Sequence, residues 1–104
     1  MDKEIVDEIK WTPLATQSFN SIIIYLEEQW SDREIERFIS KTNSLLTTLK
    51  GHPQLGRPSQ KRKNVRIALL TKNTQMVYHY EFQKRKIRVL HFWNSKRDPA
   101  KFKY

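Results

Sequence analysis

The stretch Gln75-Met-Val-Tyr-His-Tyr-Glu-Phe82, a Gln-Lys-Arg break, then Lys86-Ile-Arg-Val-Leu-His-Phe-Trp93 and Asn94-Ser-Lys-Arg-Asp-Pro99 decides the fold. Two apolar runs of strand length flank a short cationic break, the outline of a β-hairpin. Alternation sends Met76, Tyr78, Tyr80 and Phe82 to one face and Val77, His79 and Glu81 to the other. In the second strand it groups Ile87, Val89, His91 and Trp93 against Arg88, Leu90 and Phe92. Apolar residues on both sides predict a central strand with one face under helices. Just upstream, Val65, Ile67 and Leu69 alternate with Arg66 and Ala68, which predicts a third strand. The segment 70–74 between them is expected to be a hairpin loop with Asn73 left-handed.

The rest of the chain supplies the helices. Thr12-Pro13 is a helix start, with Thr12 as N-cap and Pro13 at the first helical position, where a missing N–H costs nothing. Ala15, Phe19, Ile22, Ile23, Leu26 and Trp30 follow at helical spacing. Ser31 with Glu34 has the form of a capping box. Ile35, Phe38, Ile39, Thr42, Leu45, Leu46 and Leu49 then mark a second apolar face, and Gly51 is the expected left-handed stop. The very short break implies an antiparallel helical hairpin. Neither helix has another helical partner, so both must lie on the sheet. Ile9–Trp11 is a short first strand, and residues 52–59, with two prolines and Gly56, form a loop. The expected fold is α+β: a helical hairpin packed on an antiparallel sheet in the order β-α-α-β-β-β, a single domain over residues 1–104.

Composition narrows the function. The chain has no cysteine, so disulfides, thiol nucleophiles and Cys-type zinc sites are excluded. No apolar run approaches a membrane span and the N-terminus is acidic, which suits a cytoplasmic protein with no membrane partner. Charge is uneven. Residues 1–56 hold six Lys/Arg against nine Asp/Glu (net −3), whereas residues 57–104 hold fourteen against two (net +12). Such a basic half points to an anionic partner: nucleic acid, a ribosome or an acidic protein segment. The candidate contacts are Arg57, Lys61, Arg62, Lys63, Arg66, Arg88, Lys96 and Arg97. Three scattered histidines without cysteines or nearby carboxylates predict no metal site, and no cofactor motif is present. His79 and His91 lie on strands. Side by side they would form an acid–base pair, and apart they are packed residues. Lys101-Phe102-Lys103-Tyr104 is a basic, aromatic tail that either docks on the sheet or frays.

Trp11-Thr12-Pro13, the Tyr25, Trp30 and Ser31 region, the Pro53-x-x-Gly56-Arg57-Pro58 loop, Val65-Arg66, Val77-Tyr78, Ile87-x-Val89-Leu90 and Lys96-Arg97-Asp98-Pro99 occur in an order and spacing that resemble the ParE/RelE superfamily of toxins from type II toxin–antitoxin systems. The likeness runs over about residues 9–99 and is greater to the ParE branch. It implies a growth-inhibiting protein neutralised by a cognate antitoxin, with DNA gyrase as target in ParE-like members and the ribosome and its mRNA in RelE-like members. For a ribonuclease it implies Arg66, Arg97 and Tyr104 as site residues, to which His91 is added on the chemistry of imidazole rather than on the resemblance. Ala68 stands where a further lysine is expected, Gln75 where an arginine is expected, and Tyr104 is one residue out of register with a late catalytic tyrosine. Those departures favour the ParE-like, gyrase-binding version over metal-free RNA cleavage, which needs a base, an acid and phosphate-neutralising cations; a non-toxic family member that only binds a partner is the further alternative.

Overall fold

A computed structural model describes residues 6–97 and 102–104. In chain order it contains β1 (Glu8–Trp11), α1 (Pro13–Gln29), α2 (Asp32–Gly51), β2 (Arg57–Pro58), β3 (Val65–Thr71), β4 (Thr74–Glu81) and β5 (Lys86–Asn94). The strands form one sheet in the order β1-β5-β4-β3-β2, and both helices cover one of its faces.

Helix α1 begins as the sequence dictates. The Thr12 hydroxyl accepts the Ala15 N–H at 3.1 Å, with Pro13 in the first turn. The same hydroxyl donates to the Leu90 carbonyl at 3.1 Å. The Thr12 N–H donates to the Val89 carbonyl at 3.0 Å. One residue thus caps the helix and fastens it to β5. Six residues on, Ser18 Oγ accepts the Phe92 N–H at 3.0 Å. After β1 ends at Trp11, side chains of α1 therefore satisfy backbone groups along that edge of β5, as buried polar backbone requires.

The helix boundaries depart from expectation in two places. Ser31 is the N-cap of α2, but its side chain makes no capping bond. Its carbonyl accepts the Glu34 N–H at 3.0 Å instead, and Asp32 and Glu34 place negative charge in the first turn, where the helix dipole favours it. Gly51 is not a left-handed stop, because no described glycine has positive φ. The helix runs through Gly51 and ends at His52, whose N–H donates to the Thr48 carbonyl at 3.0 Å.

The sheet is mixed rather than wholly antiparallel. β1 pairs parallel with β5, from Glu8↔Lys86 to Trp11↔Val89, and the other pairs are antiparallel. Parallel neighbours need a long crossover, here the helical hairpin and the meander together. The loop after α2 also contributes strand β2, with Arg57 opposite Ile67 and Pro58 opposite Arg66. The β3–β4 turn is only Lys72-Asn73, closed by Thr71 Oγ accepting the N–H groups of Asn73 (3.3 Å) and Thr74 (3.1 Å). Left-handed backbone occurs at Asn64 (φ 63°) and Arg85 (φ 52°), not at Asn73.

The largest correction is in β5. Val77 faces His91 while Tyr78 faces Val89, so Leu90 is an extra residue, a β-bulge. The bulge reverses the alternation. Phe92 joins Ile87 and Val89 in the helix-facing core, and His91 and Trp93 are left on the side of Phe102 and Tyr104. Phe92 is fully buried, its ring 5.0 Å from Trp11 and 5.1 Å from Phe19. Phe19 in turn stacks on Phe38 of α2 at 5.3 Å. This aromatic cluster joins β1, β5, α1 and α2. Phe82 lies beyond β4 and is exposed, so it does not extend the Met76-Tyr78-Tyr80 row.

Candidate functional site

Three pieces converge on the face of the sheet away from the helices. Val65, Ile67 and Val77 form an apolar strip, extended by Leu90 and covered by Phe102 and Tyr104. The tail therefore docks. Ser59 Oγ donates to the Tyr104 carbonyl at 2.7 Å and accepts the N–H groups of Lys61 and Arg62, both at 3.1 Å. One serine thus shapes the basic loop and holds the chain end against it. Phe102 meets the Trp93 ring edge-on at 4.9 Å, and the Arg62 guanidinium lies 4.7 Å above the Tyr104 ring. The Tyr104 hydroxyl and His91 Nδ1 share a hydrogen bond at 3.1 Å.

His91 also lines a small cleft of about 230 Å³ with Ser18, Ser21 and Arg97. The exit turn of β5 positions that arginine. Buried Asn94 donates from Nδ2 to Thr74 Oγ at 2.8 Å, and its Oδ1 accepts the N–H groups of Lys96 (2.9 Å) and Arg97 (3.0 Å). The Arg97 side chain donates to Ser21 Oγ at 3.1 Å. A phenol, an imidazole and two guanidiniums thus occur together, groups able to bind an anion and pass a proton. Asp98 and Pro99, expected to complete this turn, lie outside the described residues, as does Lys101.

Arg66 is placed elsewhere. It faces Tyr78 across the ladder, which puts it on the helix side. Its Nη1 donates to the carbonyls of Gln54 (3.1 Å) and Gly56 (2.7 Å). The buried Tyr78 hydroxyl holds the same loop, donating to the Pro53 carbonyl at 2.8 Å and accepting the Gly56 N–H at 2.9 Å. A Cβ on Gly56 would lie 2.9 Å from that hydroxyl and 3.0 Å from the Ile67 backbone, so the close approach requires glycine. The Pro53-x-x-Gly56-Arg57-Pro58 signature is thus a latch for the loop. Burial pushes the Tyr78 phenol above its ordinary range, against the smaller opposing effects of the Gly56 hydrogen bond and the Arg66 charge.

The two histidines are not side by side: His79 is opposite Arg88 and His91 opposite Val77. His79 belongs to a charged cluster around Glu81, which lies 3.7 Å from His79, 3.5 Å from Lys84 and 3.4 Å from Arg88. Desolvation pushes the Glu81 carboxyl up, but Lys84, Arg88 and Lys86 outweigh it and hold it below the usual carboxylate range. Arg57, Lys61, Lys63 and Lys96 are exposed. Among the described residues no His/Cys/Asp/Glu group is arranged to hold a metal ion, and no helix is long and apolar enough to cross a membrane. Ser59, Ser21 and Asn94 organise this region, and no local pattern marks them in advance.

Several solved structures share this architecture. The chromosomal ParDE toxin–antitoxin system from P. aeruginosa superposes with a TM-score of 0.71 at 16% identity, over 88% of this chain and 97% of that one. The DinJ–YafQ toxin–antitoxin complex of E. coli gives 0.62 at 12% identity, over 88% and 96%. The RelBE2 toxin–antitoxin complex of Mycobacterium tuberculosis gives 0.61 at 13%, over 90% and 97%. At these identities the likeness establishes the fold alone. No curated protein matches by sequence. The model of the ParE toxin of type II toxin–antitoxin systems, parDE, matches residues 9–99, nearly the whole chain. The chain therefore belongs to the ParE toxin family, within the ParE/RelE superfamily of type II toxins.

Proposed function

We propose that this toxin arrests growth in the cytoplasm by binding DNA gyrase, and that a cognate antitoxin neutralises it. The match of residues 9–99 to the ParE family carries this reading. Two features of the residues support it. Arg66, the basic residue of the first meander strand, is anchored through Nη1 to the Gln54 and Gly56 carbonyls on the helix side of the sheet, away from the His91–Tyr104 pair. Ala68, where a RelE-like enzyme is expected to carry lysine, is buried in the helix-facing core. The antitoxin is inferred from the net charge of +9 and from the solved neighbours, which are themselves toxin–antitoxin systems or complexes. An acidic, partly disordered segment is the natural complement of such a surface. Purified protein is expected to inhibit gyrase supercoiling in vitro, and unchanged supercoiling at saturating toxin refutes the proposal.

A second reading, ribosome-dependent mRNA cleavage, is favoured by one observation: the His91–Tyr104 hydrogen bond with Arg62 over the phenol ring. It requires codon-phased cuts in a translating extract that disappear with Tyr104→Phe or Arg97→Ala.

A further inference from the structure

A cleft of about 340 Å³ opens between the basic loop after β2 and the turn that follows β4. Arg62, Lys63 and Arg66 contribute three cations to its wall, and Tyr80 and Phe82 contribute two aromatic rings. No acidic residue lines it. None of the three cations forms an ion pair among the described residues. Arg66 is held in place through one nitrogen by two backbone carbonyls, which leaves its other N–H groups directed by a fixed frame. Phe82 is 60% exposed, its ring set edge-on against Tyr80 at 6.1 Å. Nothing in the fold requires a phenylalanine there, since the core cluster is complete without it.

We propose that this cleft binds single-stranded nucleic acid, with a base stacked on Phe82 and the adjoining phosphates on Lys63, Arg62 and Arg66. The chemistry decides between possible anions. An acidic peptide needs cations and gains little from an exposed aromatic ring. A nucleotide presents a π-face and a phosphate a few ångströms apart, and every base offers the same face. The three cations supply the salt-dependent attraction, which carries no sequence information. Phe82 supplies what charge alone does not. The cleft is at the opposite end of β3 and β4 from Lys72; it shares Arg62 with the Tyr104 contact, but Lys63 and Phe82 lie outside the His91–Tyr104 pair, so variants at those two positions test this binding apart from gyrase inhibition and RNA cleavage.

The test uses the full chain and fluorescence anisotropy with a labelled oligouridylate and the matching oligothymidylate, each of about ten nucleotides. Phe82→Ala is expected to weaken binding about tenfold and Phe82→Trp to preserve it, as stacking predicts. Lys63→Glu is expected to weaken it by about tenfold or more, whereas Lys72→Glu, with the same change in charge at the far turn, changes it less than about twofold. Comparison of the two oligonucleotides tells RNA from DNA. Circular dichroism checks that each variant is folded. Four results overturn the proposal: no binding, binding indifferent to Phe82→Ala, equal loss in Lys63→Glu and Lys72→Glu, or a polyglutamate ligand that binds with the same dependence on Phe82.

Discussion

Tyr78→Phe removes one oxygen and leaves two buried partners behind. The wild-type hydroxyl accepts the Gly56 N–H at 2.9 Å and donates to the Pro53 carbonyl at 2.8 Å. Tyr78, Pro53 and Gly56 are all buried, so water cannot take over either bond without opening the loop. An unsatisfied buried N–H costs about 1–3 kcal/mol, and the carbonyl, which tolerates loss better, adds less, so the expected total is about 3 kcal/mol. For a domain of this size each kcal/mol moves the melting temperature by roughly 4–8 °C, which predicts a fall of about 12–24 °C. The loss should also be local. Hydrogen exchange at the Gly56 amide is expected to be slow in the wild type, where the N–H is buried and bonded, and to become among the fastest in the 52–58 loop in the variant. There is an alkaline signature as well. The unfolded chain ionises this tyrosine near its ordinary value of about 10, while burial holds the folded phenol protonated to higher pH. The resulting stability is complete below the unfolded value and is lost as pH rises through the folded one. Tyr78→Phe removes that part of the alkaline loss. A melting shift under about 2 °C with Gly56 protection intact would refute the latch.

Two further outcomes follow from the packing and the charges. Phe92→Ala is expected to cost about 3–5 kcal/mol in urea denaturation, because it empties a site enclosed by Trp11 and Phe19; Trp93→Ala, on the other face, should cost less. The Glu81 carboxyl is held below its ordinary range by Lys84, Arg88 and Lys86 despite desolvation. Its stabilising contribution is therefore present above the unfolded carboxylate pKa and disappears as pH falls through the depressed folded value, so Glu81→Gln should show a shallower loss in urea midpoint between about pH 6 and about pH 2.

Most of the fold is legible where local chemistry repeats. The apolar spacings from Ala15 to Trp30 and from Ile35 to Leu49 mark α1 and α2, and Thr12-Pro13 marks the first helix start. The hairpin of β4 and β5 follows from its two apolar runs. Illegible parts depend on contacts distant in sequence. The Leu90 bulge carries no glycine or proline, and its evidence is the pairing of Val77 with His91 and of Tyr78 with Val89. Strict alternation therefore assigns Phe92 to the wrong face. The parallel pairing of β1 with β5 joins residues nearly eighty positions apart, beyond any local signal. The left-handed turn residue is Arg85 rather than Asn73, because Thr71 closes the earlier turn with its hydroxyl.

The candidate site divides along the same line. Arg62 and Tyr104 were open to recognition as a cation and a phenol near the ends of basic segments, but their stacking appears only when the tail folds back onto the loop. Arg66 looks like part of a basic surface in sequence, because it alternates with Val65 and Ile67. The pairing with Tyr78 turns it toward the helices, where two carbonyls hold its Nη1. His79 and His91 share a sheet face without facing each other, and the offset again follows from the strand register.

Gyrase supercoiling measured against increasing purified toxin, with Tyr104→Phe and Arg97→Ala beside the wild type, tests most directly whether this protein acts by binding. Inhibition that rises with the ratio of toxin to gyrase and persists in Tyr104→Phe is the predicted result. Full supercoiling at saturating wild-type toxin, with codon-phased mRNA cuts in a translating extract that Tyr104→Phe abolishes, would contradict it.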